Sequence, residues 1–315
     1  MAITNDWKTD NHKFVGKAFD FAYAQRLNRL LPIIGEEKTN SADFELTGTE
    51  GYGEMEPYDG TNLNEGKAKR GFKNIVVTGE FSKTAKLGRK ECRIDKFGST
   101  KRVGQRLGLT ASMTVYNHAL RMFAHAFDAN YTGGDGKAFA AIDHPVAALY
   151  SDNRKYIPDP DAGTYSNLLD LELSVASITA MQAHANRFVT PDGNAFLCEM
   201  DVIVVSPELE GIAKKICGDN GRLRPTQNPD DDTNAANPVP DIRYIVMGGG
   251  RDGFKAKQWA LCDSKLMKEI VKIVYGERPT VIDNMLDNPL IQQFTAYADF
   301  GMGWGDGRQI IFCDP

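Results

Sequence analysis

Chemistry is invited first by Gly133-Gly-Asp-Gly-Lys137. A phosphate loop needs a leading glycine, a Lys and then a Ser or Thr for Mg²⁺, set between a strand and a helix. Here Tyr131 takes the leading glycine's place, Ala138 the hydroxyl's, and the preceding pattern is helical. Asp128, Asn130, Thr132 and Gly133 match the opening of a calcium loop, but Phe139 stands where the bidentate Glu is required. His118 and His125 share a helix face without a third ligand at metal spacing. A metal-dependent enzyme using Asp128, Asp135 and His144 is thus the most distant reading. Cys92, Cys198, Cys217, Cys262 and Cys313 are scattered and odd in number, which fits free thiols in a reducing cytoplasm rather than a disulfide framework. Neither Gly-x-Ser-x-Gly nor His-Glu-x-x-His occurs. These residues predict no catalytic, cofactor or metal site, and the glycine turn reads as a helix stop.

The element behind that turn is a long amphipathic helix from about Thr100. Leu109, Met113, Tyr116, Leu120, Phe123 and Phe127 recur at four and three, and Val115, Ala119, Met122, Ala126 and Ala129 widen the face. Such a helix is about 35–45 Å long and serves as a spine. A second helical pattern covers Ala18 to Leu31, ended by Pro32, while Met1 to Lys17 shows no period and reads as an arm needing support. Ser166 is a candidate N-cap for a helix through Leu168, Leu171, Val175, Ile178, Met181, Ala185 and Phe188, closed by Thr190-Pro-Asp-Gly-Asn194.

Val202-Ile-Val-Val205 reads as a buried strand feeding a helix from Ser206-Pro207 to about Cys217. Ile242–Met247 and Gln258–Cys262 flank Gly248-Gly-Gly-Arg-Asp-Gly253 and read as a hairpin. Val271–Tyr275, Phe294–Phe300 and Arg308–Phe312 complete the strands, the last two separated by Gly301, Gly303, Gly305 and Gly307. The order is α+β.

A chain of 315 residues with 42% hydrophobic residues can bury large cores. Its net charge of −5 argues against condensation on nucleic acid by the molecule as a whole. No signal peptide or membrane-spanning apolar run is visible. The charge is nonetheless sorted. Glu36, Glu37, Asp43, Glu45, Glu50, Glu54, Glu56, Asp59 and Glu65 precede Lys67, Lys69, Arg70, Lys73 and further cations to Arg106. Nucleic-acid contact, a solvated face and head-to-tail contact between copies are the three readings. The third suits an extended Gly-rich hairpin with no core of its own, and makes Lys67, Lys69, Arg70, Lys73, Glu54 and Glu56 the interface candidates.

Ala126-Phe-Asp-Ala-Asn-Tyr-Thr-Gly-Gly-Asp-Gly-Lys-Ala-Phe-Ala-Ala-Ile-Asp-His-Pro145 after a long helix resembles major capsid proteins of tailed double-stranded DNA bacteriophages, of the Mu-like major head subunit type. Ser166-Asn-Leu168, Val204-Val-Ser-Pro-Glu-Leu209, Trp259-Ala-Leu-Cys-Asp263 and Asp299-Phe-Gly-Met-Gly-Trp-Gly-Asp-Gly-Arg308 follow the same pattern in order, so the resemblance spans about Gly51 to the C-terminus. It implies the tailed-phage capsid fold: an N-terminal arm (1–43), an extended β-hairpin loop (44–75), a peripheral domain with the spine helix (76–165, returning at 265–315) and an axial domain (166–264). It implies a structural protein without catalysis or cofactor that assembles into hexamers and pentamers of an icosahedral head around double-stranded DNA. Scaffold, portal and decoration proteins are the implied partners, and the virion capsid, after assembly in host cytoplasm, the implied location. The cleaved N-terminal scaffold segment of some relatives has no counterpart, which implies a separate scaffold or a mature chain. A bacterial nanocompartment shell of the same fold is the alternative. Lys67, Lys69 and Lys73 lie where certain relatives crosslink a loop Lys to Asn, but no motif identifies such a pair.

Overall fold

A computed structural model describes residues 6–27, 32–41, 43–49, 55, 57–58, 70–94, 98–128, 149–155, 163–190, 193–217, 239, 241–249, 253–284 and 290–315. The first half holds α1 (Asp6–Leu27), β1 (Gly35–Lys38), β2 (Asp43–Thr49), β3 (Arg70–Val77), β4 (Gly79–Gly88), α2 (Arg89–Ile94) and α3 (Gly98–His125). Next come β5 (Arg154–Lys155), β6 (Thr164–Tyr165), β7 (Leu168–Leu169), α4 (Val175–Ala185), β8 (Val202–Val205), α5 (Glu210–Cys217) and β9 (Arg243–Val246). The chain closes with β10 (Trp259–Cys262), α6 (Ser264–Ile270), β11 (Lys272–Asn284), β12 (Ile291–Gly303) and β13 (Ile310–Cys313). One sheet has the order β1-β11-β12-β4 and a second β7-β13-β10-β8-β9; β2 and β3 form a hairpin apart from both.

The three central strands of the second sheet, β13, β10 and β8, are apolar at every position because both faces are covered. Val202, Val204, Ala260, Cys262, Ile310 and Phe312 face the main core, against Val115, Ala119, Met122 and Phe123 of α3. Ile203, Val205, Trp259, Leu261, Ile311 and Cys313 face the other way, against Ile178 and Met181 of α4 and Ala213 and Ile216 of α5. β12 instead alternates half-buried and buried residues along most of its length, as a strand covered chiefly on one side should. The C-terminal half of α3 also packs with Ile273, Tyr275, Ala298 and Phe300, so it joins the two sheets.

The spine is present as 28 residues, about 42 Å at the standard rise. Its buried face is the expected one in part: Leu120 and Phe123 of the large-residue line are buried, but the face centres on the small-residue stripe. Met113 is 44% and Phe127 37% exposed, while Val115, Ala119, Met122 and Ala126 are fully or almost fully buried. Together with Gly104, Gly108 and Ser112 they define a face about 100° around the helix from the Leu109–Phe127 line. The small residues face inward because α1 crosses there. A Cβ on Gly108 would stand 2.4 Å from the Phe19 carbonyl oxygen, and one on Gly104 2.6 Å from that of Val15. The glycine stop at Gly133–Lys137 lies outside the described residues; the helix itself ends at His125.

The supposedly aperiodic arm is helical from Asp6, so the pattern noted at Ala18–Leu31 is the second half of α1. Its inward line is Asn11, Val15, Phe19 and Ala22. Asn11 hides the period because it is polar yet 3% exposed, donating to Gln292 of β12. The support the arm needs is the chain's own spine. Gly108→Ala should therefore detach α1 despite the better helix propensity of Ala, at a cost of about 1–3 kcal/mol. Limited trypsin digestion is the check: Lys13 and Lys17 should be cut faster than in the wild type, and an unchanged rate would contradict the packing.

Three further expectations change. Leu168–Leu169 is a strand beside β13, and the next helix begins after Ser174, whose Oγ accepts from Ser177 N–H at 3.1 Å. β9 and β10 are not a hairpin: β8 lies between them, parallel to β9 and antiparallel to β10. The 265–315 return divides, with β11 and β12 in the first sheet and β13 in the second. Pairing of this kind is decided by distant strands, which local period does not report.

Candidate assembly surface

The β2–β3 hairpin leaves the body at Thr78, and its base is seated by a row of glycines. Phe72, 8% exposed, shares a core with Leu46, Val76, Ile270 and Val274. Its ring lies between Gly48 of β2 and Gly305: added Cβ atoms would come within 2.4 and 2.1 Å of it. A Cβ on Gly303 would meet Val76 at 2.3 Å, and one on Gly301 the Val77 carbonyl at 2.6 Å. Asn74 then donates to the Trp304 carbonyl at 2.7 Å, locking the register. The Gly301, Gly303, Gly305 spacing follows the strand period, so one face is stripped of side chains to receive β3. That alternation is the signal in the sequence from which the dock can be read.

Of the interface candidates, Lys67, Lys69, Glu54 and Glu56 lie outside the described residues, and Arg70 begins β3 with only its backbone described. Lys73 meets Glu45 of its own hairpin at 3.1 Å. This is a diagonal cross-strand contact, since Lys73 is opposite Thr47 and Glu45 opposite Ile75. Lys73 thus finds its first partner within the chain, at a half-exposed site where such a pair adds at most about 1 kcal/mol.

A buried polar knot below Gly305 was also missed. Asp306 accepts from Tyr165 Oη–H at 2.8 Å and from the Gly307 and Arg308 N–H groups, and pairs with the Arg308 guanidinium. Arg308 donates on to the Val189 carbonyl and lies 4.5 Å from the Phe196 ring centre. Asn167, fully buried, donates to the Leu149 and Gly307 carbonyls and accepts from Ser151 N–H. The Ser166-Asn-Leu168 and Asp306-Gly-Arg308 segments are therefore joined in space at Gly307.

Among the described residues the chemical candidates are not assembled into a site. His118 Nδ1 lies 2.7 Å from the Arg121 guanidinium, with its ring edge-on to Phe81 and Phe300. His144 and Asp135 lie outside the described residues, and among the described residues no group of three His, Cys, Asp or Glu could hold a metal. Cys198, Cys217, Cys262 and Cys313 are free and buried. Burial pushes the Cys217 thiol up to about 11 and the Cys313 thiol up to about 12, far from a nucleophilic thiolate at neutral pH. Among the described residues no helix is long and apolar enough to cross a membrane.

Asp201 anchors the start of α6. Burial raises its pKa, but hydrogen bonds from the Ser264 N–H and hydroxyl, with the Arg243 guanidinium, outweigh burial and hold it below the ordinary carboxylate value. A lowered folded-state value means its stabilisation is present above the ordinary carboxylate range and lost as pH falls through the lowered value. In Asp201→Asn, the loss of melting temperature between pH 5 and pH 2 should be smaller than in the wild type. Equal acid limbs would rule out this linkage.

The two sheets, the glycine-docked hairpin and the long spine together make the tailed-phage major capsid fold. Two solved structures share it. The capsid of an empty GTA particle matches with a TM-score of 0.53 at 11% identity, covering 90% of this chain and 88% of that one. The capsid of Ralstonia phage GP4 matches with 0.51 at 12% identity, covering 89% and 85%. No protein-family model and no curated protein matches the sequence.

Proposed function

We propose that this chain is a structural shell protein that assembles with its own copies into hexamers and pentamers of an icosahedral head enclosing double-stranded DNA. The observation that carries this reading is the fold, shared with two capsid proteins over about nine-tenths of the chain. A hairpin whose base has a dedicated dock and whose limbs carry opposite charge supports contact between copies. The motif order around Ala126–Pro145 favours the Mu-like head subunit type, with scaffold, portal and decoration proteins as partners and the virion as location. The arm, hairpin loop, peripheral and axial units follow the boundaries above, with β13 assigned to the axial unit. Catalysis and cofactors have no part in this role.

Negative-stain microscopy of the full chain, alone and co-expressed with a scaffold, is the test. Closed shells are expected, and a persistent monomer under both conditions would overturn the reading. Lys69→Glu with Arg70→Glu should abolish shells while the subunit keeps its melting temperature. Normal shells from that variant would refute the electrostatic contact between copies.

A further inference from the structure

The proposed shell leaves one charged surface unused. Between residues 83 and 106 the chain carries nine basic and two acidic residues, although the whole molecule is net negative. In the structure, part of this block lines a groove of about 530 Å³ formed by the end of β4, α2 and the start of α3. Lys90, Arg102 and Arg106 line it with Leu87, Glu91, Ser99 and Val103, and all three cations are exposed. Ser99, Arg102, Val103 and Arg106 follow the helical three–four spacing, so one face of α3 turns both guanidinium groups to the groove. The first turn of α3 contains no acidic residue to offset its backbone N–H groups.

We infer that this groove receives the phosphodiester backbone of duplex DNA, and that it marks the face of the subunit turned toward the enclosed genome. The inference rests on the shell reading. Arginine forks match phosphate oxygens in pairs, and a lysine adds a point charge beside them. The described lining has no aromatic ring, so it offers nothing for unstacked bases to lie on. It suits a backbone read by charge alone, without sequence preference. An acidic segment of another copy is the competing occupant. Three of the four described acidic residues of the 36–65 block favour DNA over it, because Glu36, Glu37 and Glu45 already meet Arg278, Lys272 and Lys73 of their own chain. Clustering three cations at one groove of a net-negative molecule also leaves the acidic remainder to repel DNA, so that contact is local and weak enough for the genome to move.

The test measures binding of a 30-base-pair duplex to unassembled full-length subunits by fluorescence anisotropy across a salt series. In Lys90→Gln/Arg102→Gln/Arg106→Gln the slope of log affinity against log salt should be shallower by about 2.7, from about 0.9 per lost phosphate contact. Between 50 and 200 mM salt that difference amounts to about 40-fold in relative affinity. Arg102→Lys/Arg106→Lys should keep the wild-type slope, as should Lys13→Gln/Lys17→Gln/Lys214→Gln, which removes three charges elsewhere. A triple variant with the wild-type slope, or a control that falls equally, overturns the inference. So does displacement of the duplex by inorganic phosphate beyond chloride at equal ionic strength, which identifies a small-anion site. An unchanged slope with loss of shells assigns the groove to an acidic segment of another copy. Because the titration uses unassembled subunits, it is read independently of whether the wild type forms shells.

Discussion

Gly305→Ala is expected to leave a folded subunit whose hairpin no longer seats, and therefore to abolish shell formation. The new Cβ would lie 2.1 Å from the Phe72 ring, and the ring cannot move away because Gly48 backs its other side just as closely. Overpacking at such a place costs about 1–3 kcal/mol, which shifts a docked–undocked equilibrium by about 5- to 150-fold. The loss should centre on the hairpin, since Phe72, Leu46 and Val76 belong to a small core whose other buried members are Ile270 of α6 and Val274 of β11. Hydrogen exchange should show amides of 43–49 and 70–77 losing protection while those of 202–205 keep theirs. Phe72→Leu in the same chain should restore much of both protection and assembly by removing the clashing ring atoms. Wild-type shell yield from Gly305→Ala would show that the dock does not govern assembly.

The largest loss of stability should follow Arg308→Ala. Asp306 and Arg308 are 7% and 4% exposed, so removing the guanidinium takes from a buried carboxylate the cation bonded to it, while the Tyr165 hydroxyl and the Gly307 N–H remain among its donors. Breaking a buried pair from one side costs about 3–5 kcal/mol, and the lost contacts with Phe196 and the Val189 carbonyl add to it. A fall in melting temperature on the order of 5–10 °C should be seen by calorimetry. Arg308→Met combined with Asp306→Asn should recover part of that fall, because no charge is then buried alone. A shift under about 1 °C for Arg308→Ala would mean the pair is worth no more than a surface contact.

Several elements were legible in the sequence for a physical reason. Val202–Val205 and Trp259–Cys262 are apolar at each position because the strands are buried on both faces, and a continuous run reports that locally. The helix ending at Cys217 was likewise marked by Ser206, Pro207 and the acids after it, although Ser206 does not cap with its side chain. Its hydroxyl instead donates to the Ala256 carbonyl at 2.8 Å. The spine was legible as a long helix with a buried Val115–Ala126 stripe, but its large apolar residues set the centre of that face wrongly, since Met113 and Phe127 are exposed. Gly104 and Gly108 determine the face, and a glycine has no side chain from which burial can be read.

The assembly surface divides the same way. Sequence by itself determined the α+β class, the spine, the charge reversal near residue 66 and the lack of a recognisable catalytic pattern, all of which are properties of neighbouring residues. Only the tertiary structure decided that Gly301, Gly303 and Gly305 receive Phe72 and Val76, that Lys73 meets Glu45, and that Asp306 and Arg308 tie to Tyr165 and Val189. Those contacts join segments up to 233 residues apart, as Phe72 and Gly305 are. Composition and period register what a residue prefers around it; which distant residue satisfies that preference is set when the sheets pack.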